Sequence, residues 1–502
     1  MSNDFNAQTA DQNNLIANQL VVDTAYQAID ENTWQKLFQE AEQAGVLSKR
    51  DDMFAGEKIN WSENRAVLHP ALRNISHQSM SVDGVDVMPE VRQAWKKIDS
   101  FCNKLVGITD IIHIGIGGSD IGPRLVCDAL SQIAPAENRH LRVHFLANID
   151  SAELATILSK VQALTTRVII ASKTFTTLET LQNTQSVIEW LKEKGILPSQ
   201  IGKHLLAVTC NAAGAEELGI PKENIFPLWD WTGGRFSVWS SVGLVIALKF
   251  GFSTYKDFLS GAFAMDQHFL KAPPQENQPL LLALTLIHNQ RRFQSKSQAL
   301  IPYASALGLM PSWLQQLEME SNGKQHQING GRAATSSPVI FGGAGTNSQH
   351  SFFQMLHQGP DVIPVDFIAI VEPMSQLPLA KEHHHQLLAN CLAQAQALAN
   401  GNANETHLNE FYPGKRPSTL IWVPRLNAFN LGSLLALYEH RTFCLGVLWG
   451  LNSFDQPGVE LGKQLAKPIK QALSDPHHPE LLNSLDEITA QRVRWLHQFS
   501  SH

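Results

Sequence analysis

Between residues 110 and 210 the chain alternates short, continuous apolar runs with longer stretches in which apolar residues return every three or four positions. The runs Ile111–Ile116, Val143–Ala147, Val168–Ala171 and Leu205–Val208 have the length and β-branched content of strands, whereas Ser151–Ala163 and Thr177–Lys194 have the length and periodicity of helices. Alternation of this kind predicts a parallel sheet with helices on both faces. A long helix is expected from about Phe236 towards Phe250. Beyond Gly251 the same texture returns, with strand candidates at Ala299–Tyr303, Val339–Phe341, Phe367–Val371 and Thr419–Val423. Residues 1–75 read as mainly helical, with amphipathic stretches such as Trp34–Ala44. The segment from about Ser474 to the end reads as an amphipathic helical arm.

Composition narrows the class. A chain of 502 residues exceeds one ordinary core, so two or three domains are expected. Apolar residues at 43% and charged residues at 17% describe a soluble globular protein. The net charge of −7 speaks against general attraction to nucleic acid or to membrane surfaces, so an anionic ligand must be held by a local site. Cys102, Cys127, Cys210, Cys391 and Cys444 are scattered and never form a CxxC pair, which reads as reduced thiols rather than a disulfide framework. No run approaches the roughly 18 apolar residues of a membrane span, and MSNDFNAQTADQNN lacks the apolar centre of a signal peptide. The chain reads as cytoplasmic.

Two motifs follow strands directly. Ile111–Arg124, IIHIGIGGSDIGPR, runs from an apolar strand through glycines into a helix, a geometry that cradles phosphate on helix N–H groups. A dinucleotide fingerprint starting at Gly115 needs glycine where Asp120 stands, and a nucleotide-triphosphate loop starting at Gly117 needs Lys–Ser/Thr where Pro123–Arg124 stand. Both readings fail at a residue their mechanism requires; a plain tight turn stays open. Ala171–Thr180, ASKTFTTLET, places the hydroxyls of Ser172, Thr174 and Thr177 and the ammonium of Lys173 at the mouth of a helix. That set suits a phosphate dianion, against the alternative of simple N-capping.

Four further stretches carry candidate chemistry. In Trp229–Gly243, WDWTGGRFSVWSSVG, Arg235 stands directly behind two glycines and offers a cationic fork to an anion or oxyanion. In Trp313–Lys324, WLQQLEMESNGK, Gln316 and Glu320 are four apart and share a helix face, while Glu318 and Glu320 cannot both point to one site. In Gly342–Gly359, GGAGTNSQHSFFQMLHQG, His350 is placed at the start of a helix continuing to His357, an acid–base group near neutral pH. In Gly446–Lys463, GVLWGLNSFDQPGVELGK, Pro457 opens a helix that carries Gln456 and Lys463 on one side. Taken singly, Glu320, His350 and Lys463 each read as ordinary surface or structural residues. The tract His383–His385 lacks metal-site spacing and reads as exposed surface.

In order and spacing these stretches, from Ile111 to Lys463, resemble the glucose-6-phosphate isomerase (phosphoglucose isomerase) family. GGRFSVWSSVG and FDQPGVELGK look like its two signatures, and MESNGK and GTNSQH like its catalytic segments. The resemblance implies an α/β protein with two α/β/α sandwich domains of the sugar-isomerase type and mainly parallel sheets, plus a helical N-terminal segment and C-terminal arm. Its domains would be a smaller one over 76–249, a larger one from 1–75 and 250–473, and the arm over 474–502.

The implied activity is reversible isomerisation of glucose 6-phosphate to fructose 6-phosphate through a cis-enediolate, in glycolysis and gluconeogenesis, without cofactor or metal. Ser172, Lys173, Thr174 and Thr177 would bind the sugar phosphate, with Gly118 and Ser119 lining the site and Gln316 and Gln456 holding the sugar. Glu320 would be the general base, Arg235 the stabiliser of the enediolate, and His350 and Lys463 the ring-opening pair. A homodimer is implied, with His350 contributed across the interface. Pro457 stands where the family usually has tryptophan, Ser348 where glycine is common, and His113 where asparagine is frequent. A non-catalytic phosphosugar-binding protein of the same fold is the main alternative; a mannose 6-phosphate or bifunctional isomerase is a second, and a nucleotide-dependent enzyme is the weakest.

Overall fold

The computed structural model of the chain describes residues 19–133, 141–402 and 408–500. The chain divides into two compact units, Met1–Ser453 and Phe454–His502. The first opens with a three-residue strand, β1 (Val21–Asp23), and a two-strand hairpin, β2 (Ser81–Val82) with β3 (Val85–Asp86). The expected alternation then follows: β4 (Asp110–Ile114), β5 (Arg142–Leu146), β6 (Thr166–Ala171), β7 (Leu205–Thr209) and β8 (Ile225–Pro227). These form an all-parallel sheet of order β5-β4-β6-β7-β8.

Strands β4 and β7 are buried at every position. Such burial fits a parallel sheet covered on both faces, and it explains why the chain spells these strands as unbroken apolar runs. Helix α1 (Ile121–Ile133) follows β4 and helix α2 (Leu178–Glu193) follows β6. On one face Ile112, Ile114, Val168 and Ile170 share a core cluster with Val187 and Leu191 of α2.

The second sheet uses β9 (Ser297–Tyr303), β10 (Val339–Gly342), β11 (Val365–Ile370) and β12 (Ser418–Val423) in the order β1-β12-β11-β9-β10, with only β1 antiparallel. Its core sets Ile301, Phe367 and Ala369 against Cys391, Ala395 and Leu398. Every strand candidate in the sequence falls on one of these strands. The short edge strands β1 and β8 and the hairpin carry two or three residues each, too few for a periodic signal.

Three expectations change. The single helix from Phe236 to Phe250 is instead a 3₁₀ turn at Gly234–Phe236, a second at Ser241–Gly243, and an α-helix only at Leu244–Phe250. The Ser240 hydroxyl accepts the N–H of Val242 and so starts the chain afresh in mid-segment. His350 stands not at the start of a helix but just after a short one, Gly345–Gln349, with the next beginning at Phe353. A Cβ on Gly345 would lie 2.5 Å from the Tyr303 ring, so the glycine lets the earlier turn pack tightly on β9. In the histidine tract, His384 is buried and its Nε2 lies 2.8 Å from the Val371 carbonyl.

Two long helices, α3 (Phe252–Lys271) and α5 (Ala428–Trp449), cross at glycines; between them in the chain lies α4 (Ala380–Asn400). A Cβ on Gly261 would sit 1.7 Å from the Phe429 carbonyl oxygen, and one on Gly432 would sit 2.0 Å from that of Phe258. Helix α5 is buried nearly all round, yet carries Glu439, His440, Arg441 and Thr442 in its interior. Glu439 and His440 are answered by charged groups of other elements. Arg73 donates Nε (2.9 Å) and Nη2 (2.7 Å) to Asp266 and Nη1 to Glu439; Trp239 Nε1 reaches Glu439 at 2.8 Å, and His440 Nε2 lies 2.7 Å from Asp266. Burial raises the Glu439 carboxyl to about 7 against the pull of the Arg73 guanidinium.

Gly432→Ala is expected to destabilise the fold by at least about 1–3 kcal/mol, because the clash is with backbone and no side chain can swing away; a thermal melt measures it. Asp266→Asn leaves Arg73 short of a buried counter-charge and is expected to cost about 3–5 kcal/mol in urea denaturation.

Candidate active site

Loops at the carboxyl ends of the parallel strands are the natural ligand-binding positions of such a sheet. After β4 the chain turns at Gly117 (φ +60) into the 3₁₀ turn Gly117–Ser119. His113 Nε2 lies 2.7 Å from the Ser119 carbonyl. Burial pushes the imidazole down to about 4, so the ring is neutral near pH 7 and donates this hydrogen bond. A Cβ on Gly118 would lie 1.9 Å from the Gly234 carbonyl oxygen and 2.6 Å from the Arg235 nitrogen; one on Gly117 would lie 2.9 Å from Gln316 Nε2. Three motifs far apart in sequence therefore meet at two glycines.

The loop after β6 is held in an unusual conformation. Phe175 has φ +57 with its ring buried in the core, a strained state for a bulky residue, and its N–H donates to Ser172 Oγ at 3.1 Å. The Ser172 and Thr177 hydroxyls are 3.2 Å apart. Thr177 occupies the N-cap of α2, but its side chain does not cap the helix. Simple N-capping thus does not account for Thr177. Thr174 is exposed, with its hydroxyl 2.7 Å from that of Thr176. Lys173 Nζ donates to the carbonyls of Asp230 (2.8 Å) and Thr232 (3.0 Å), and burial lowers its pKa.

Arg235 is only 5% exposed. Its Nε donates to Ser321 Oγ (2.6 Å), its Nη2 to the Ser453 carbonyl (2.6 Å), and its Nη1 lies 3.7 Å from Glu320 Oε1. Glu320 ends a π-helical turn, Gln315–Glu320. Four apart, Gln316 and Glu320 share one side of the turn, and Gln316 Nε2 donates to Glu320 Oε2 at 2.9 Å. Such turns recur at functional sites. As the helix-face reasoning requires, Glu318 goes elsewhere. It is wholly buried and accepts from Asn322 Nδ2 (2.8 Å) and Thr442 Oγ1 (2.7 Å). Asn322 in turn accepts from Ser453 Oγ at 2.7 Å, next to the carbonyl that receives Arg235.

The geometry thus gathers Gly118, Arg235, Gln316 and Glu320, and ties the Ser172–Thr177 loop to the Arg235 turn through Lys173. Ser119 is fixed by His113. His350 is exposed on the first unit. Gln456 and Lys463 belong to the second unit, where Gln456 precedes a 3₁₀ turn at Pro457–Val459 and Lys463, exposed on the helix Glu460–Ser474, pairs with Glu460 at 2.8 Å. Sequence reasoning missed Ser321, Asn322, Thr442 and Ser453, which orient the pair. Ser321 and Asn322 lie within a recognised segment, but nothing in their spacing marks them as buried. Chemically, a partly exposed carboxylate beside a desolvated guanidinium can take a proton next to a carbonyl while the cation stabilises the oxyanion that results.

Residues 23–490 match the family model described as phosphoglucose isomerase. The chain is 45% identical to a glucose-6-phosphate isomerase of Cupriavidus metallidurans, over 93% of this chain and 90% of that protein. It is 44% identical to one of Chlorobium luteolum, over 92% and 89%. The structure superposes on the crystal structure of a glucose-6-phosphate isomerase from Chlamydia trachomatis with a TM-score of 0.86 and 32% identity, covering 96% of this chain and 92% of that one.

Gly118→Ala pits a methyl group against backbone on the Arg235 turn. A crystal structure of the variant is expected to show Arg235 displaced from Ser321, and a melt to show a loss of about 1–3 kcal/mol.

Proposed function

The chain belongs to the phosphoglucose isomerase family, and on that premise we infer that it is an aldose–ketose isomerase interconverting glucose 6-phosphate and fructose 6-phosphate, a step of glycolysis and gluconeogenesis. The observation that carries the chemistry is the Glu320–Arg235 pair at 3.7 Å. Glu320 removes the proton from C2 of the opened aldose and returns it to C1. Arg235, desolvated and fixed, stabilises the enediolate between the two steps. Proton transfer of this kind needs neither redox cofactor nor metal.

The phosphate is assigned to the hydroxyls of Ser172, Thr174 and Thr177 and the opening N–H groups of α2, with Lys173 alongside and Gly118 and Ser119 as the facing wall. Gln316 both holds the sugar and steadies Glu320. Gln456 as a second sugar contact, and His350 and Lys463 as the ring-opening groups, rest on the family resemblance. The working form is a homodimer in which His350 serves the partner's site; exposure of His350 on its own subunit supports this reading. The domains are assigned as 76–249, 1–75 with 250–473, and the arm 474–502. No helix among the described residues is long and apolar enough to cross a membrane, and the scattered free cysteines favour the cytoplasm. A non-catalytic role is disfavoured by a base and a charge stabiliser already set at the same point.

Fructose 6-phosphate in D₂O should yield glucose 6-phosphate carrying deuterium at C2, read by proton NMR. Glu320→Gln is expected to lower kcat by roughly 10²–10⁴-fold and Arg235→Met by about 10²–10³-fold; conversion undiminished in Glu320→Gln removes the assigned base. Mixing inactive Glu320→Gln and His350→Asn subunits under exchange should restore activity, since one of the two sites in the mixed dimer is then intact. No recovery, with exchange confirmed, overturns the shared site.

A further inference from the structure

We propose that Lys173 is a positioning residue, whose ammonium ties the phosphate loop to the turn that carries Arg235. This rests on the isomerase reading above and assigns Lys173 a task other than holding the phosphate itself.

The turn needs such a tie. Gly233 and Gly234 precede Arg235 and have no side chains with which to pack; a Cβ built on Gly234 would meet nothing within 4 Å. Just ahead of them the buried Trp231 and Thr232 are held by backbone hydrogen bonds as well as by packing. The Trp231 carbonyl accepts from the Leu68 N–H at 3.2 Å, and the Thr232 N–H closes on the Trp229 carbonyl at 3.2 Å. The two carbonyls that flank Trp231, those of Asp230 and Thr232, both accept from Lys173 Nζ, at 2.8 and 3.0 Å. One ammonium thus grips the turn on either side of Trp231. Hydrogen bonds from a charged donor are roughly twice as strong as neutral ones.

The other end of the tie is equally fixed. The Lys173 carbonyl accepts from the Cys210 N–H (3.0 Å) and Thr209 Oγ1 (3.1 Å) at the end of β7. Its neighbours Ser172 and Thr177 are the hydroxyls of the phosphate loop, linked at 3.2 Å. Two of the three ammonium hydrogens are spent on carbonyls. The phosphate is left to hydroxyls and N–H groups, while Lys173 passes the position of that loop to Arg235, which acts on the far end of the sugar. Binding the phosphate and stabilising the enediolate are thereby set in one frame, and a misplacement of about 1 Å at the reacting end is enough to cost of the order of 10²-fold.

The test separates grip from ligation in the full-length enzyme. Lys173→Met keeps the stem and removes the donors. Inorganic phosphate is titrated calorimetrically as the probe of the phosphate site, and kcat is measured with fructose 6-phosphate on protein shown by circular dichroism to be native. The expected result is a kcat lowered at least tenfold with the phosphate Kd changed less than threefold. In Lys173→Gln, which keeps an N–H donor, a smaller loss of kcat is expected, and this variant takes the place of Lys173→Met if that one fails to fold. A tenfold loss of phosphate affinity overturns the proposal, as does a kcat within threefold of the wild type. An inactive wild type overturns the isomerase reading instead, and the phosphate titration then judges the present proposal by itself.

Discussion

A guanidinium taken out of water must find, inside the protein, acceptors for the hydrogens that water held, and these must stay where the chain puts them. Arg235 is in that position. Among its acceptors are the Ser321 hydroxyl and the Ser453 carbonyl, and the Glu320 carboxylate stands beside it as an ion pair at 3.7 Å. Ser453 is itself held from a distance. Ser453 is fastened to Asn322, Asn322 to Glu318, and Glu318 to Thr442 on α5. The π-helical turn that aims Glu320 is the same segment that sends Glu318 into this web. The buried cation thus draws Thr442 of α5 into its web, while Glu439 and His440 of the same helix belong to a separate buried set with Arg73, Asp266 and Trp239. Specific placement of buried charges is costly in desolvation, and here it fixes the position of Arg235 beside Glu320.

Much of the fold is legible in the chain because β4, β6, β7, β9, β11 and β12 are covered on both faces and so appear as apolar runs bounded by glycines and polar caps. Strands β1 and β8 are not, since an edge strand of three residues has no period to read. The segment after Arg235 misleads for a different reason. Its composition suits a helix, but Ser240 and the close approach of Gly243 to Tyr255, where a Cβ would lie 2.5 Å from the ring, break it into short turns.

At the site, the residue types and the i,i+4 relation of Gln316 and Glu320 are visible in the sequence, while the partner that takes up Glu318, Thr442, lies 124 positions away. Lys173 counts by type as a phosphate ligand. Its actual partners are backbone carbonyls 57 and 59 residues away, which no spacing rule reports. His113 illustrates the same limit: the sequence marks it only as a strand position where the family often has asparagine, and its burial and its bond to the Ser119 carbonyl emerge only in the fold.

The contact between Gly118 and Gly234 has a consequence for how such a site can change over time. Because backbone touches backbone there, neither loop can be lengthened, re-angled or replaced without the other adjusting in step. Residues 115–119 and 232–236 therefore form one heritable block split in two along the gene. A hybrid assembled from two divergent relatives would keep its geometry only where the two pieces still meet with no side chain between them, however well each half folded alone.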